Sequence, residues 1–222
     1  MSYDRAMGVI ATGLVLVLAA AAASGAGPSV PAGALRVRAS VAAEPCVRAA
    51  ARAYAAGELA IETGAVRGAR GADVLVGGSA EIDRALESGA ALGDTDVDLV
   101  RIPWVLIAAG QPPVEGLEAL AGSGAPVVVM GGAEAYEARR ALRAFSRDRV
   151  RETQDARALR AAPAALVPLS LAGAAPHAAT GVPALTLKAA VAAGAPREAG
   201  AREFVAYLAS DAGLRALAAC GR

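Results

Sequence analysis

Short apolar strand patterns alternate with helical patterns along most of this 222-residue chain. Strands are predicted at residues 35–40, 59–63, 72–76, 97–108, 126–130, 164–170 and 182–187. Helices are predicted between them at residues 45–56, 80–88, 116–121, 133–145 and 154–159. Such alternation is typical of mostly parallel sheets covered by helices. Because the order repeats on both sides of Trp104, we expect an α/β protein of two doubly wound domains joined by two crossing strands.

The two predicted crossings divide the sequence into its expected domains. The first lies near residues 101–108, where Pro103 interrupts the strand and suits a chain that leaves one sheet for another. The second lies near residues 183–190. We therefore expect domain one to comprise residues 35–102 and 190–222, and domain two to comprise residues 103–189.

The N-terminal residues have the pattern of an export signal followed by a short linker. An uncharged apolar run follows Arg5, and Ser24-Gly25-Ala26 is a small-x-small cleavage motif. We therefore predict a signal peptide over residues 1–26, cleaved near Ala26, and a linker over residues 27–34. The run is also near the minimum length for crossing a bilayer, so an uncleaved anchor is the alternative. Either interpretation predicts a periplasmic or other extracytoplasmic protein.

Composition argues against several classes of partner and chemistry. The formal net charge is +1 and only 3% of the residues are aromatic, so no nucleic-acid-binding surface is indicated. The single histidine, His177, lies in an Ala-Gly-Pro loop, and the chain has no Gly-x-Ser-x-Gly motif, so we rank an enzyme last. One histidine and two distant cysteines give no metal-ligand spacing, and no cofactor is expected.

Two cysteines occur in a chain that is expected to be exported, where disulfides persist. Cys46 lies in the first predicted helix and Cys220 lies near the end of the sequence. A bridge between them would close nearly the whole mature chain. The alternative is a pair of buried, unpaired thiols, because sequence alone does not place the two Cα atoms within bonding range.

The last residues predict two consecutive helices that are separated at Ser210. Ser210 is placed to cap the second helix, and Asp211 favours the positive end of that helix. The first helix has one apolar stripe with three-and-four spacing, formed by Ala201, Phe204, Val205 and Leu208.

Four segments together resemble the class II periplasmic solute-binding proteins, and most of all the molybdate-binding family of ABC transporters. They are residues 37–54, the run Gly71-Ala72-Asp73-Val74-Leu75-Val76-Gly77, the crossing Trp104-Val105-Leu106-Ile107 and the two C-terminal helices. The resemblance implies a periplasmic binding protein-like II fold. It also implies a monomer that binds a solute between two hinged domains and presents its closed form to a membrane permease.

In such a fold the solute lies beyond the carboxyl ends of the strands, where helix N-termini offer free N–H groups. The family implies a small oxyanion such as molybdate or tungstate. The ligand-binding residues that the resemblance implies are Ser40, Ala42, Ala43, Glu44, Gly77, Gly78, Ser79, Met130, Gly131, Gly132, Tyr136 and Ser170.

The implied site departs from the family pattern. The family has Ala-Ala-Ser-Leu-Thr after its first strand, whereas this chain has Val41-Ala42-Ala43-Glu44, which loses a hydroxyl and adds a carboxylate. Glu44 is open to three interpretations: it repels anions, it contacts a cationic or hydroxylated ligand, or it is a solvated first-turn acid. Ser79 and Ser170 are the best remaining hydroxyls, and each has a structural alternative, as a helix cap and as a strand end. Tyr136 either faces the cleft or covers the core.

Two functional hypotheses follow from these observations. The first is the exported binding component of an ABC-type importer, which acts by hinged closure of two domains. The second is a degenerate solute-binding fold that serves as a sensor or accessory module without a transport role. The substituted hydroxyl positions and the short length of the chain favour the second hypothesis, and neighbouring permease and ATPase genes would argue against it.

Overall fold

The computed structural model describes residue 31, residues 33–108 and residues 115–221. The predicted signal peptide and most of the predicted linker therefore lie outside the described residues. Among the residues that the structure describes, no helix is both long enough and apolar enough to cross a membrane.

Ten strands and eight α-helices occur in the described residues. The strands are β1 (Leu35–Ala39), β2 (Leu59–Thr63), β3 (Val74–Gly78), β4 (Val97–Ile102), β5 (Trp104–Ile107), β6 (Val127–Met130), β7 (Val150–Thr153), β8 (Ala165–Pro168), β9 (His177–Ala179) and β10 (Leu185–Val191). The helices are α1 (Glu44–Ala53), α2 (Ser79–Glu87), α3 (Leu117–Ser123), α4 (Tyr136–Ala141), α5 (Ala156–Ala161), α6 (Leu169–Ala172), α7 (Glu198–Ala209) and α8 (Asp211–Ala218).

The strands form two five-stranded sheets, in the orders β2-β1-β3-β10-β4 and β7-β6-β8-β5-β9. In the first sheet, β1 is parallel to β2 and β3, whereas β10 is antiparallel to β3 and β4. In the second, β6 is parallel to β7 and β8, whereas β5 is antiparallel to β8 and β9. The two α/β domains are confirmed, but each sheet is mixed rather than mostly parallel, because strands that cross between the domains run against the others.

The core of each domain consists mainly of aliphatic side chains. Strands β3, β5 and β8 are buried along their whole length, as expected for strands that are covered on both faces. Trp104, the first residue of β5, is buried in the core and is only 2% exposed. A largely aliphatic core of this size is consistent with the low aromatic content of the chain.

The chain crosses between the sheets at Pro103 and again between β9 and β10. Strand β4 ends at Ile102 in the first sheet, and β5 begins at Trp104 in the second. The second crossing comes earlier than the expected residues 183–190, because β10 pairs with β3 and β4 from Leu185 onward. Residues 185–189, which were expected in domain two, therefore belong to the first sheet.

The C-terminal helices return to the first domain and pack against α1. Phe204 is fully buried, and its ring lies 4.9 Å from the ring of Tyr54, centroid to centroid. The predicted cap of α8 is confirmed, since the Ser210 Oγ accepts the Gly213 N–H at 3.2 Å. A disulfide joins Cys46 to Cys220, whose Cα atoms are 4.7 Å apart. The end of the chain is thus attached to the first helix by packing and by a covalent bond.

Two segments of the second domain differ from their predicted structure. The expected helix at 133–145 is broken into a 3-10 turn (Ala133–Ala135), α4 and a second 3-10 turn (Leu142–Ala144), because Ala135 and Leu142 leave the α-helical backbone region. The expected loop at 171–181 contains the end of α6 and the short edge strand β9. Strand β7 was not predicted, because its sequence VRET is polar and lies at the sheet edge.

Candidate functional site

The carboxyl ends of strands from both sheets meet at one cleft between the domains. Ser40 follows β1, Gly131 follows β6 and Gln154 follows β7. The cleft encloses a cavity of about 10 Å³, which has room for about one water molecule. Its lining residues are Ser40, Val41, Gly64, Ala65, Glu81, Gly131, Glu134 and Gln154.

A carboxylate from domain two crosses this cleft and binds to domain one. Glu134, in the 3-10 turn after β6, accepts the backbone N–H of Gly78 through Oε1 at 2.6 Å. Gly78 is the N-cap residue of α2, and the positive end of a helix favours an anion there. Ser40 lines the same cavity, and its hydroxyl favours the charged form of Glu134, which works against the rise in pKa that burial causes. Glu134 is only 9% exposed, so this contact is shielded from water.

A second acid, Glu81 on α2, lies beside Glu134. Burial, together with the charge of Glu134, raises the pKa of Glu81 to about 8. Burial also raises the pKa of Glu134, although the Ser40 hydroxyl and the Gly78 N–H favour its charged form. The Glu81 Oε2 atom is buried with no hydrogen-bond partner among the described residues, so a proton on this oxygen has Glu134 as its natural acceptor. The two acids therefore titrate as a coupled pair, and near neutral pH the pair shares a proton.

Two glycines make room for these acids. A β-carbon on Gly78 would lie 2.9 Å from Cγ of Glu134, and one on Gly77 would lie 3.0 Å from Oε2 of Glu81. A side chain at Gly78 would therefore force Glu134 to move and would press on Leu185, and one at Gly77 would press on Glu81 and Val66. The close approach of Glu134 to domain one depends on Gly78 having no side chain.

Several residues that the sequence implied for the site lie at this cleft. Ser40 and Gly131 line the cavity, and Gly77 and Gly78 contact the two acids. Ser170 is buried in domain two and donates its hydroxyl to the Ala42 carbonyl of domain one at 2.8 Å, so it fastens the two domains together. Ala42 and Ala43 are fully buried.

The other implied residues lie at or beyond the margin of the cleft. Glu44 is in the first turn of α1 and pairs with Arg48 one turn later. Ser79 does not cap α2, because Gly78 holds the N-cap position and Ser79 is the first helical residue. Met130 is buried at the end of β6, and the carbonyl of Gly132 accepts a hydrogen bond from Arg139. Tyr136 is 56% exposed and does not line the cavity.

The sequence did not single out Glu134, Glu81 or Gln154 as ligand-binding residues. Glu81 lies in the first turn of α2. Glu134 lies 56 residues from Gly78 in sequence, and no local pattern predicts a contact over that separation. The available signal was the pair of acids, each of which begins a helical segment just after a glycine-rich strand end.

A wider groove of about 530 Å³ lies on the second domain alone, between Arg139 and Phe145. The guanidinium of Arg139 is already engaged there, by the Gly132 carbonyl at 3.0 Å and by Glu152 at 3.2 Å. This groove contains no residue from the first domain. We therefore assign the candidate site to the cleft.

Comparisons with solved structures identify the fold. The periplasmic molybdate-binding protein of Azotobacter vinelandii matches with a TM-score of 0.72 at 15% identity, over 84% of this chain and 97% of that one. The sulfate-binding protein SubI from Mycobacterium tuberculosis H37Rv has a TM-score of 0.68 at 14% identity and 86% coverage of each chain. Iron-bound HitA from Pseudomonas aeruginosa has a TM-score of 0.56 at 16% identity, over 83% of this chain and 84% of that one. No protein-family model and no curated protein matches the chain.

The named ligands of these three proteins differ in chemistry, so the likeness concerns the scaffold. The chain has the fold of the class II periplasmic solute-binding proteins and resembles the molybdate-binding ones.

Proposed function

We propose that this protein is an extracytoplasmic solute-binding protein that binds a small oxyanion between its two domains and delivers it to the membrane permease of an ABC-type importer. The observation that carries the proposal is the carboxyl oxygen of Glu134, which accepts the Gly78 backbone N–H at 2.6 Å at the start of α2. A helix N-terminus and a hydroxyl stabilise such an oxygen without any lysine or arginine. Molybdate, tungstate and sulfate present oxygens of the same kind.

The proposed action is a hinged closure of the two domains around the solute. The hinges are the two crossings, at Pro103 and between β9 and β10. Closure brings Ser170 of domain two onto the Ala42 carbonyl of domain one and hides the cleft from water. The protein acts as a monomer, and the proposal involves binding only, with no covalent step.

An entering oxyanion has to displace Glu134. The cavity of about 10 Å³ is too small for both, and two anions at contact distance repel each other by about 1 kcal/mol in water and by more in a closed cleft. Once Glu134 has moved, the donors for the solute are the Gly78 N–H and the Ser40 hydroxyl on domain one. Domain two adds Gln154, whose amide lines the same cavity.

Isothermal titration with molybdate, tungstate and sulfate tests the oxyanion assignment. We expect heat of binding with at least one of these anions at neutral pH. Absence of heat with all three, in the wild-type protein and in a variant without the Glu134 side chain, would remove the assignment.

A matched pair of serine variants tests the position of the solute. Ser40→Ala removes the cleft hydroxyl and is expected to weaken anion binding roughly tenfold, the effect of one hydrogen bond to a charged group. Ser88→Ala is the control, because its hydroxyl donates only to the Ala85 carbonyl at the end of α2. Equal affinities in the two variants would place the anion elsewhere.

A second candidate function is a sensor or accessory module that keeps the fold but has no transport role. The observation in its favour is Glu134 itself, which occupies the anion position with a group of the protein. Genes for a permease and an ATPase beside the gene of this protein would argue for the importer, and uptake that is unchanged after deletion of the gene would argue for the module.

A further inference from the structure

We propose that Glu134 is an internal ligand of the cleft, which takes the anion position on domain one and holds the two domains together until an external solute displaces it. This inference rests on the proposed solute-binding function and adds a regulatory element to it. The occupancy of the site is then set by competition between a solute and a side chain of the protein.

The contacts of Glu134 are those expected of a bound anion. Its Oε1 atom accepts the Gly78 N–H at 2.6 Å, and the Ser40 hydroxyl favours its charge from the same side. Both partners belong to domain one, whereas Glu134 belongs to a 3-10 turn of domain two. The contact therefore bridges the domains as a cleft solute would.

The packing around Glu134 makes the fit specific. Its Cγ atom lies 2.9 Å from the position of a β-carbon on Gly78, so any larger residue there would exclude it. Its carboxylate faces the Glu81 carboxyl, which is able to donate one proton to it. The Glu81 carboxyl, one N–H and one hydroxyl thus surround the Glu134 carboxyl group.

Competition with a tethered group sets a threshold for the external solute. A group that is held by the same chain acts at an effective concentration of about millimolar or more. Only a solute that binds the open site more strongly than this local carboxylate will displace it. A weakly binding anion then displaces Glu134 only at a concentration well above this effective concentration.

The first test removes the internal ligand and supplies a free carboxylate. Glu134→Ala is expected to open the cleft, seen as a larger radius of gyration in X-ray scattering, and sodium acetate is expected to restore the wild-type value. Acetate should leave the wild-type protein unchanged, with sodium chloride as the control for ionic strength. Glu137→Ala is the matched variant, since Glu137 lies on α4 and pairs with Arg140 within its own helix.

The second test displaces the internal ligand and leaves its charge in place. Gly78→Ala keeps the backbone N–H but puts a methyl group 2.9 Å from Cγ of Glu134 and 3.0 Å from Cδ1 of Leu185. Because Glu134 has to move away, we expect an open cleft that acetate does not close. Gly57→Ala is its control, because nothing lies within 4 Å of a β-carbon at that position. Far-UV circular dichroism confirms that each variant is folded, and Gly78→Ala decides the question if Glu134→Ala does not fold.

Titration of the variants separates this proposal from the proposed function. We expect Glu134→Ala to bind acetate and molybdate at least about tenfold more tightly than the wild type does, because the competitor is gone. A wild-type radius of gyration in Glu134→Ala or in Gly78→Ala would overturn the internal ligand, whatever the protein binds. Both variants could open although neither they nor the wild-type protein bind an oxyanion. That result would support the internal ligand and contradict the oxyanion importer.

Discussion

Asp73 and Glu134 are both buried carboxylates that accept backbone N–H groups, but their surroundings differ. Asp73 is fully buried at the start of β3 and accepts the backbone N–H groups of Arg36 at 2.8 Å and Arg197 at 3.0 Å. The Arg197 guanidinium lies 3.4 Å from it and balances its charge. Glu134 has one backbone donor, and its nearest ionisable neighbour is another acid, Glu81.

The comparison indicates that Asp73 stabilises the fold of the first domain, whereas Glu134 acts at the cleft between the domains. Asp73 has an opposite charge and two backbone donors as partners, and it joins three elements of the first domain. A buried acid pair with one shared proton depends on pH and on which domain contacts it. Such perturbed pairs cluster at functional sites. Three substitutions and one pH titration test this difference between the two acids.

Asp73→Asn should have the largest effect on stability. It removes the charge that pairs with Arg197 and turns one acceptor into a donor facing N–H groups, so we expect a loss of about 2–4 kcal/mol in the free energy of unfolding. Urea unfolding followed by circular dichroism measures it. Asp98→Asn is the control, because that side chain is 72% exposed and lies 3.9 Å from Lys188. Equal losses in the two variants would contradict a structural role for Asp73.

The pH dependence of wild-type stability should reveal the acid pair. Glu81 binds its proton more tightly in the folded cleft, where its pKa is about 8, than in the unfolded chain, where the ordinary value is 4.5. The stabilisation by this proton is therefore complete below about pH 4.5 and is lost as the pH rises to about 8. We expect the free energy of unfolding to fall by about 1–3 kcal/mol over that range. The fall is smaller than the full pKa difference would give, because solvent screens part of the side chain.

Glu81→Gln isolates the contribution of that proton. The amide can donate to Glu134 at any pH, as the protonated Glu81 carboxyl does, so the variant should be about 1–2 kcal/mol more stable than the wild type near pH 8. Near pH 4.5 the two proteins should be equally stable. Urea unfolding at both pH values gives the difference, and a difference that is the same at both would contradict the shared proton.

Glu44→Gln should have the smallest effect. Glu44 pairs with Arg48 one helical turn away, on a partly exposed surface, and such pairs contribute about 0.3–0.5 kcal/mol. We expect a change in stability within about 0.5 kcal/mol at all pH values and no change in the radius of gyration. A loss above about 1 kcal/mol would show that this acid also takes part in closing the cleft.

Much of the first domain could be predicted from local patterns. Strand β2 and the start of α1 at Pro45 follow from short apolar runs and from a proline in the first helical turn. The C-terminal helices follow from the spacing of Phe204 and Leu208 and from the Ser210 cap. The second domain was predicted less well, because its strands of three or four residues carry little periodicity and β7 is polar.

The cleft was predicted in outline but not in its chemistry. The positions of Ser40 and Gly78 follow from the rule that solutes bind beyond the ends of strands. The contact of Glu134 with Gly78 depends on how two domains close on each other, and that arrangement leaves no periodic trace in either segment. The carboxylate that the sequence placed near the site, Glu44, lies in the first turn of α1 beside Arg48, whereas the acids inside the cleft are Glu81 and Glu134.

The disulfide between Cys46 and Cys220 places the whole second domain inside a covalently closed loop of the chain. The bond spans 174 positions of the sequence, and the chain leaves the first sheet after Ile102 and re-enters it at Leu185 inside that span. A single protease cut anywhere in the second domain therefore leaves two pieces that the disulfide still joins. Nicked protein should migrate as one molecule in a non-reducing gel and separate into fragments only after the bond is reduced.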